Sequence, residues 1–340
     1  MRAIITGGCG FLGSNIAVEA MRRGWDVVLV DDLSRKGSDQ NLEWLREQGK
    51  FIFHKSQVQD RAFVERLVRD FRPEVVFHLA GQVAMTTSLV DPRLDFETNV
   101  VGSINFLEAL RAHCPGAIIT YSSTNKVYGD MPEVECREQA LRYEAPAFPQ
   151  GFDEKTRLDF HSPYGCSKGA VDQYMLDYAR NYGLKAIVFR HSSIFGGRQF
   201  STFDQGWIGW FVEQALATKR DPGRKPFTIS GDGKQVRDVL FGTDLTELYF
   251  QAVDAADQAK GQAFNIGGGM ENSLSLLELF GFLEAELGVK LAYERLPWRR
   301  GDQKVFVADI RKAKELIGWA PKVDKHKGLR EMIRWVQGLC

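Results

Sequence analysis

The sequence predicts an α/β protein: a doubly wound parallel sheet followed by a smaller mixed α/β domain. Three observations carry this expectation. Short apolar runs alternate with helical periodicity as far as Arg190, a glycine-rich turn follows the first run, and the alternation breaks down beyond the last. A chain of 340 residues is long enough for two domains. They are placed at 1–190 and 191–340, with segments around 237–267 expected to return to the first.

Arg2–Thr6 (RAIIT) is a short apolar strand that ends in glycines. Phe11–Arg23 sets Phe11, Leu12, Ile16, Ala20 and Met21 on one helical side, and Gly24 ends it at a position suited to left-handed backbone. Asp26–Val30 (DVVLV) is the second strand, and Val75–Ala80 (VVFHLA) and Ala117–Ser122 (AIITYS) are further buried strands. Ala170–Tyr182 spaces Val171, Tyr174, Met175, Tyr178, Ala179 and Tyr182 helically, and Ala186–Arg190 follows as a strand. Strand, helix, strand at these lengths means right-handed crossovers and a parallel sheet. Residues 129–161 hold no clean period, and Pro and Gly interrupt the chain often beyond 190 (DPGRKP, SGDGK, NIGGG). Asp309–Ile317 reads as a helix capped by Asp309, with Gly318 just past its end.

Lys and Arg number 44 and Asp and Glu 44, so the net charge is zero. That removes the electrostatic case for nucleic acid or an anionic membrane surface. No apolar run approaches the ~18 residues of a membrane span. The start, MRAIITGG, enters a strand at once without a signal peptide, so a cytoplasmic protein is expected. The cysteines at 9, 114, 136, 166 and 340 are odd in number and lack metal-ligand spacing. Reduced thiols and no metal are the reading.

Gly7, Gly10 and Gly13 in TGGCGFLG lie between the first strand and the first helix. Missing side chains there let backbone N–H groups approach a pyrophosphate, the Rossmann-type arrangement. Asp31, at the end of the second strand, stands where a carboxylate binds adenosine ribose hydroxyls. It repels a 2′-phosphate and so favours NAD over NADP, with Arg35 and Lys36 as the counter-signal. Tyr164 and Lys168 form a Y-x-x-x-K and share a helix face. A phenol is a poor base at neutral pH, and a nearby ammonium favours its phenolate. Thr124, near the carboxyl end of a strand, offers a hydroxyl beside Tyr164.

With HLAGQ (78–82), YSSTNKVYG (121–129), SPYGCSK (162–168), FRHSSIFGGRQ (189–199), FDQGWIGWF (203–211) and SGDGKQVRDV (230–239), essentially the whole chain resembles the extended short-chain dehydrogenase/reductases. Within them it is similar to the nucleotide-sugar epimerases, in particular the 2-epimerases of CDP-hexoses. The resemblance implies a retained NAD, transient oxidation at C2 to a keto sugar, and hydride return to the other face. CDP-paratose to CDP-tyvelose is the implied conversion, with CDP-glucose to CDP-mannose as a second. Tyr164 would be the acid/base, Lys168 its electrostatic support and Thr124 the hydroxyl partner.

The cofactor residues implied are Gly7, Gly10, Phe11, Leu12, Asp31, Asp32, Ser34, Arg35, Gln57, Val58, Leu79, Ala80, Gly81, Asn99, Ser122, Ser123, Tyr164, Lys168 and His191. Gln57 stands where the family usually has an acidic adenine contact. The substrate residues implied are Thr124, Asn125, Ser193, Gln205, Trp207, Arg237, Arg299 and Asp302. The two arginines would hold the diphosphate, with Arg300 the alternative to Arg299, and Asp302 would accept from ribose. A homodimer or homotetramer paired through helices flanking the sheet is implied as well.

Other readings stand beside these. Trp207, Trp210 and Phe211 are equally a buried helix face, and His191 is equally a satisfied buried histidine. A 4-epimerase, a net oxidoreductase on nucleotide sugars, or a non-catalytic NAD-binding protein would use the same scaffold. The similar 4,6-dehydratases carry Asp-Glu directly after the threonine. Asn125 and Lys126 stand here instead, so the acid and base for water elimination are missing.

Overall fold

A computed structural model describes residues 1–299 and 301–339. The readings of Arg300 as a phosphate contact and of Cys340 as a free thiol fall outside the described residues. Seven parallel strands form the central sheet: β1 (Arg2–Thr6), β2 (Asp26–Asp31), β3 (Ile52–Lys55), β4 (Val75–His78), β5 (Ile118–Thr124), β6 (Lys185–His191) and β7 (Gln262–Ile266). Their order is β7-β6-β5-β4-β1-β2-β3. Alternation along each strand sends Ile5, Leu29 and Phe77 into one helical layer and Ile4, Val28, Val76 and Ile119 into the other. The strand order reverses between β1 and β4, which opens a crevice outside their carboxyl ends.

The segment 237–267 divides. Gln262–Ile266 joins the central sheet as β7, and the helix Gly242–Asp254 packs on it through Leu245, Leu248, Tyr249 and Phe250. Val236–Phe241 does not return. It pairs with Ser193–Phe195, Ser273–Ser275 and Val305–Phe306 in a second, mixed sheet. The helices Trp207–Arg220, Leu276–Leu287 and Lys325–Gln337 enclose a separate core beside it.

Two predicted boundaries move. The helix expected from Ala170 begins at Ser162, with Pro163 in its first turn. Gly169 lies against the Phe160 ring, where a Cβ would sit 2.5 Å from a ring carbon. Apolar periodicity is weak where the helix starts. The helix runs Arg311–Ile317 with Ile310 at the cap position, one residue later than expected, and the Asp309 carboxylate still accepts from its first N–H, that of Arg311, at 3.1 Å. The Asp309 N–H is held by the Phe152 carbonyl at 3.0 Å, so extended backbone persists through it. Gly318 ends the helix with φ +78° as expected. Trp319 then returns to the first core, buried, its indole N–H donating to the Asp244 carbonyl at 2.8 Å.

A buried polar network binds the sheet to the helix Ser162–Tyr182. Arg190 of β6 donates to both Asp172 oxygens at 2.8 Å, and Ser123 of β5 donates to the same carboxylate at 2.9 Å. Arg190 also donates to the Tyr128 hydroxyl at 3.0 Å, which donates to Asn265 of β7 at 2.7 Å. Asp172→Ala would leave the guanidinium buried without a counter-charge. The expected loss is about 3–5 kcal/mol, read from the midpoint of urea unfolding. An unchanged midpoint would show that the pair does not hold the helix.

Candidate active site

The glycine turn closes against the end of β4. Gly7 has φ +64°, and a Cβ on it would meet the Ala80 nitrogen at 2.9 Å. A Cβ on Gly13 would lie 2.1 Å from the Gly7 carbonyl oxygen. Gly10, at the helix N-cap, carries no side chain to cap the helix. The first N–H groups of the helix, including those of Phe11 and Leu12, thus remain available to an anion. The Leu12 side chain lies in the core, so its part in the turn is its backbone. Asp31 braces the turn, accepting from the Cys9 N–H at 2.9 Å and the Leu33 N–H at 2.8 Å. Burial raises its carboxyl above the usual range, and these two N–H groups oppose that. Asp32 accepts from the Ser34 N–H at 3.0 Å. Arg35 is lowered by burial, with Asp204 of the second unit opposing. A turn with no space for a Cβ, uncapped N–H groups and an acidic strand end fit a dinucleotide such as NAD.

Thr6 receives the N–H groups of Leu79 and Ala80 at 3.1 and 3.0 Å. Asn99, fully buried, accepts from the Gln82 N–H at 2.8 Å and donates to Ser167 at 2.9 Å, next to Lys168. A Cβ on Gly81 would meet the Asn99 oxygen at 2.8 Å and lie 3.6 Å from Lys168 Nζ. The Val58 side chain is buried against Gly102. The Gln57 side chain has no hydrogen-bond partner among the described residues.

Tyr164 and Lys168 occupy the first two turns of their helix. Burial pushes the phenol up to about 12, while its hydrogen bond with Thr124 opposes that and the Asp95 charge adds to it. Burial lowers the Lys168 ammonium to about 8, and Asp95 and Asp172 oppose that. Lys168 Nζ lies 4.5 Å from the centre of the Tyr121 ring. Within the chain alone the phenol therefore moves away from activation. His191 is lowered to about 3 by burial and by Lys168, so the ring is neutral. Its two nitrogens contact Ser122 at 3.2 Å and Tyr249 at 3.4 Å, the satisfied-histidine arrangement. Ser123 is directed elsewhere: its hydroxyl is committed to Asp172 in the network behind the strand.

On the substrate side, charges converge. Asp302 accepts from Arg237 at 2.6 Å and lies 3.6 Å from Lys126. Burial raises the Asp302 carboxyl, but Arg237, Lys126 and Arg299 outweigh it and hold it low. Arg299 donates to Ser230 at 3.1 Å and its guanidinium lies 5.0 Å from the centre of the Phe203 ring. With Lys126 engaged by the Gly301 carbonyl and Asp302, the two arginines are the cations left to face a diphosphate. Trp207 donates to Ser193 at 3.0 Å and packs partly on the second core, as does Trp210. Gln205 exchanges backbone hydrogen bonds with Thr202.

The sequence reading missed several residues. Gln303, fully buried, accepts from Asn125 at 3.0 Å. Lys126, lowered to about 8 chiefly by burial, donates to the Gly301 carbonyl at 2.9 Å. Asn41 links the two units, donating to the Cys9 and Arg198 carbonyls at 3.0 and 3.1 Å. Asp95 accepts from Ser167 and Gln82 behind the catalytic helix. None of these lies in a local pattern that marks its partner. Among the described residues, no group of His, Cys, Asp and Glu is placed to hold a metal.

A family model described as GDP-mannose 4,6 dehydratase matches residues 4–332. The CDP-paratose 2-epimerase of Salmonella typhi is 53% identical over 339 residues, covering 100% of both chains. Among solved structures, the UDP-glucose 4-epimerase of Thermus thermophilus in complex with NAD is 30% identical with a TM-score of 0.82 over 100% of both chains. The UDP-glucose 4-epimerase of Thermotoga maritima with UDP-glucose is 29% identical, with a TM-score of 0.84, over 100% of this chain and 99% of that one.

Gly13→Ala forces its new methyl against the Gly7 carbonyl, so the turn must open. The purified variant should carry less than about a tenth of the NAD retained by the wild type, measured by release on denaturation. Full retention would remove the turn from the cofactor site.

Proposed function

The chain belongs to the GDP-mannose 4,6 dehydratase family, and on that footing we propose that it is an NAD-dependent epimerase inverting C2 of a CDP-hexose. The observation that carries this reading is a hydride-transfer constellation of Thr124, Tyr164 and Lys168 without an elimination pair. Asn125 and Lys126, where dehydratases carry their acid and base, are both spent on contacts with residues 301–303. The base and the carbon follow from full-length similarity to the Salmonella typhi enzyme. CDP-paratose is the leading substrate and CDP-glucose the second.

NAD, when bound, supplies the hydride acceptor and donor and a positive ring. Tyr164 takes the proton from the C2 hydroxyl and gives it back, with Thr124 orienting that hydroxyl. The Lys168 ammonium stabilises the phenolate. Arg237 and Arg299 hold the diphosphate. With that end fixed, the hexose is the part that turns to present its other face. Neutral His191 adds no competing charge beside Lys168.

The same reading extends to assembly and location. Leu89, Val90, Leu94 and Phe96 are 54, 87, 43 and 51% exposed on two short helices packed against the catalytic helix, where Tyr174 is 46% exposed. This apolar face is where two copies pair, as a dimer or as half of a tetramer. The cytoplasm suits the four described cysteines, all free. Among the described residues, no helix is long and apolar enough to cross a membrane.

The reading is tested with CDP-paratose deuterated at C2, incubated without added NAD and followed by NMR. The C2 epimer should appear with deuterium retained. Deuterium lost to solvent would replace hydride transfer by proton abstraction, and absence of reaction would exclude this substrate. The pH profile has a definite sign. Lys168 and Lys126 carry charge below about 8 and lose it above. Initial rates measured across pH about 6–10 should therefore turn down above about 8, where loss of the ammoniums outweighs the gain in Tyr164 phenolate, and a rate still rising at the alkaline end would show that the phenol and neither ammonium controls it. Val90→Glu combined with Phe96→Glu should halve the mass found by light scattering, and an unchanged mass would place the interface elsewhere.

A further inference from the structure

Gln303 is fully buried, yet it is polar and makes contacts in two directions. Its side chain accepts from Asn125 at 3.0 Å and donates to the Gly129 carbonyl at 2.7 Å. Its own carbonyl accepts from Arg237 at 2.8 Å. One residue thus touches both the turn that follows the catalytic hydroxyl and an arginine of the diphosphate cluster. Lys126 repeats the connection from the other side, with Nζ 2.9 Å from the Gly301 carbonyl and 3.6 Å from Asp302. Gly301 takes φ +75°, and the Asp302 N–H reaches back to the Arg299 carbonyl at 3.4 Å.

We propose that Asn125, Lys126 and Gln303 form a strap that positions the Thr124 turn relative to the diphosphate-binding arginines. Anchoring the diphosphate then sets where the reacting sugar carbon lies against Thr124 and Tyr164. The inference rests on the nucleotide-sugar reading above. Its physical warrant is the cost of what is buried. The interior amides of Asn125 and Gln303 lose hydration that apolar side chains would never have needed, and the half-buried Lys126 ammonium loses part of its own. A fully satisfied polar network returns a single geometry, which an apolar contact of the same size specifies poorly. Hydride transfer is sensitive to that geometry, since a displacement of about 1 Å at the reacting atoms can cost about 100-fold. The strap residues need not touch the reacting carbon; they are positioning residues. The two positions that a dehydratase uses for chemistry serve here to hold distance.

The test compares Lys126→Met, Lys126→Arg and Asn125→Ala with wild-type holoenzyme. CDP affinity is measured by calorimetry, kcat and KM on the CDP-hexose, and Tm and bound NAD as controls. Lys126→Met should lower kcat about 10- to 100-fold and leave CDP affinity within about threefold. Lys126→Arg, which keeps the charge and a donor, should recover most of the lost rate. Asn125→Ala, the milder cut, should show the same selective loss in kcat even if Lys126→Met fails to fold. An unchanged kcat in Lys126→Met and Asn125→Ala would overturn the strap. Weakened CDP binding with kcat intact would overturn it in favour of a direct phosphate contact. Parallel loss of Tm, NAD and kcat without rescue by arginine would reduce it to a structural staple. If the wild type leaves CDP-hexoses untouched, the substrate reading fails on its own, and the strap is measured on UDP-glucose with UDP as the binding probe. No turnover of either by the wild type would overturn both.

Discussion

The ion pair between Asp172 and Arg190 sets the position of everything else in the catalytic unit. Neither side chain reaches water appreciably, at 0 and 4% exposure. Ions buried this deeply cost several kcal/mol each unless paired and hydrogen-bonded. Here the two-pronged pair is joined by Ser123 and Gln173, which donate to the carboxylate, and by Tyr128, which accepts from the guanidinium. The helix Ser162–Tyr182 therefore has one rotation and one axial height against β6. Tyr164, Lys168 and Asp172 are spaced four apart, so they form a row on one helix face. Locking Asp172 under the sheet aims the other two, the phenol about 12 Å further along the axis at 1.5 Å per residue.

Desolvation is the second common cause. It raises Tyr164 and lowers Lys168, Lys126 and His191, each toward its neutral form. For Tyr164 and the two lysines, burial thus opposes the charges that the proposed chemistry uses. On the proposed reading, a positive ring brought near Tyr164 pushes the phenol in the opposite direction. Activation of the phenol on that reading comes from the positive ring and the Lys168 ammonium, the charges that favour a phenolate.

Much of the fold was legible because the central strands are buried on both faces and so read as unbroken apolar runs. β3 was harder to read: it lies at the sheet edge, its residues half-exposed, and IFHK carries no comparable run. The start of the helix Ser162–Tyr182 was obscured by small residues such as Gly169, which lets Phe160 pack against it. In the site, glycine turn, carboxylate, phenol and ammonium were readable because each chemistry restricts residue type at short spacing. The partners were not. Asn125 and Gln303 are 178 residues apart, and only the folded chain shows that they meet. Ser123 shows the converse: its motif marks the site, but strand alternation turns its hydroxyl toward Asp172.

The return of Trp319 to the first core has a consequence for synthesis. The residues that close the cofactor-binding unit, Ala313, Ile317 and Trp319, are translated after nearly all of the second unit. On the ribosome the first unit cannot seal its apolar interior when its own sheet is complete through β6. It waits, partly open, while the 128 residues from the end of β6 to Trp319 emerge at about 5–20 per second. During those seconds its exposed surface is a target for chaperones. A chain cut short before Trp319 would be left in that adhesive state permanently.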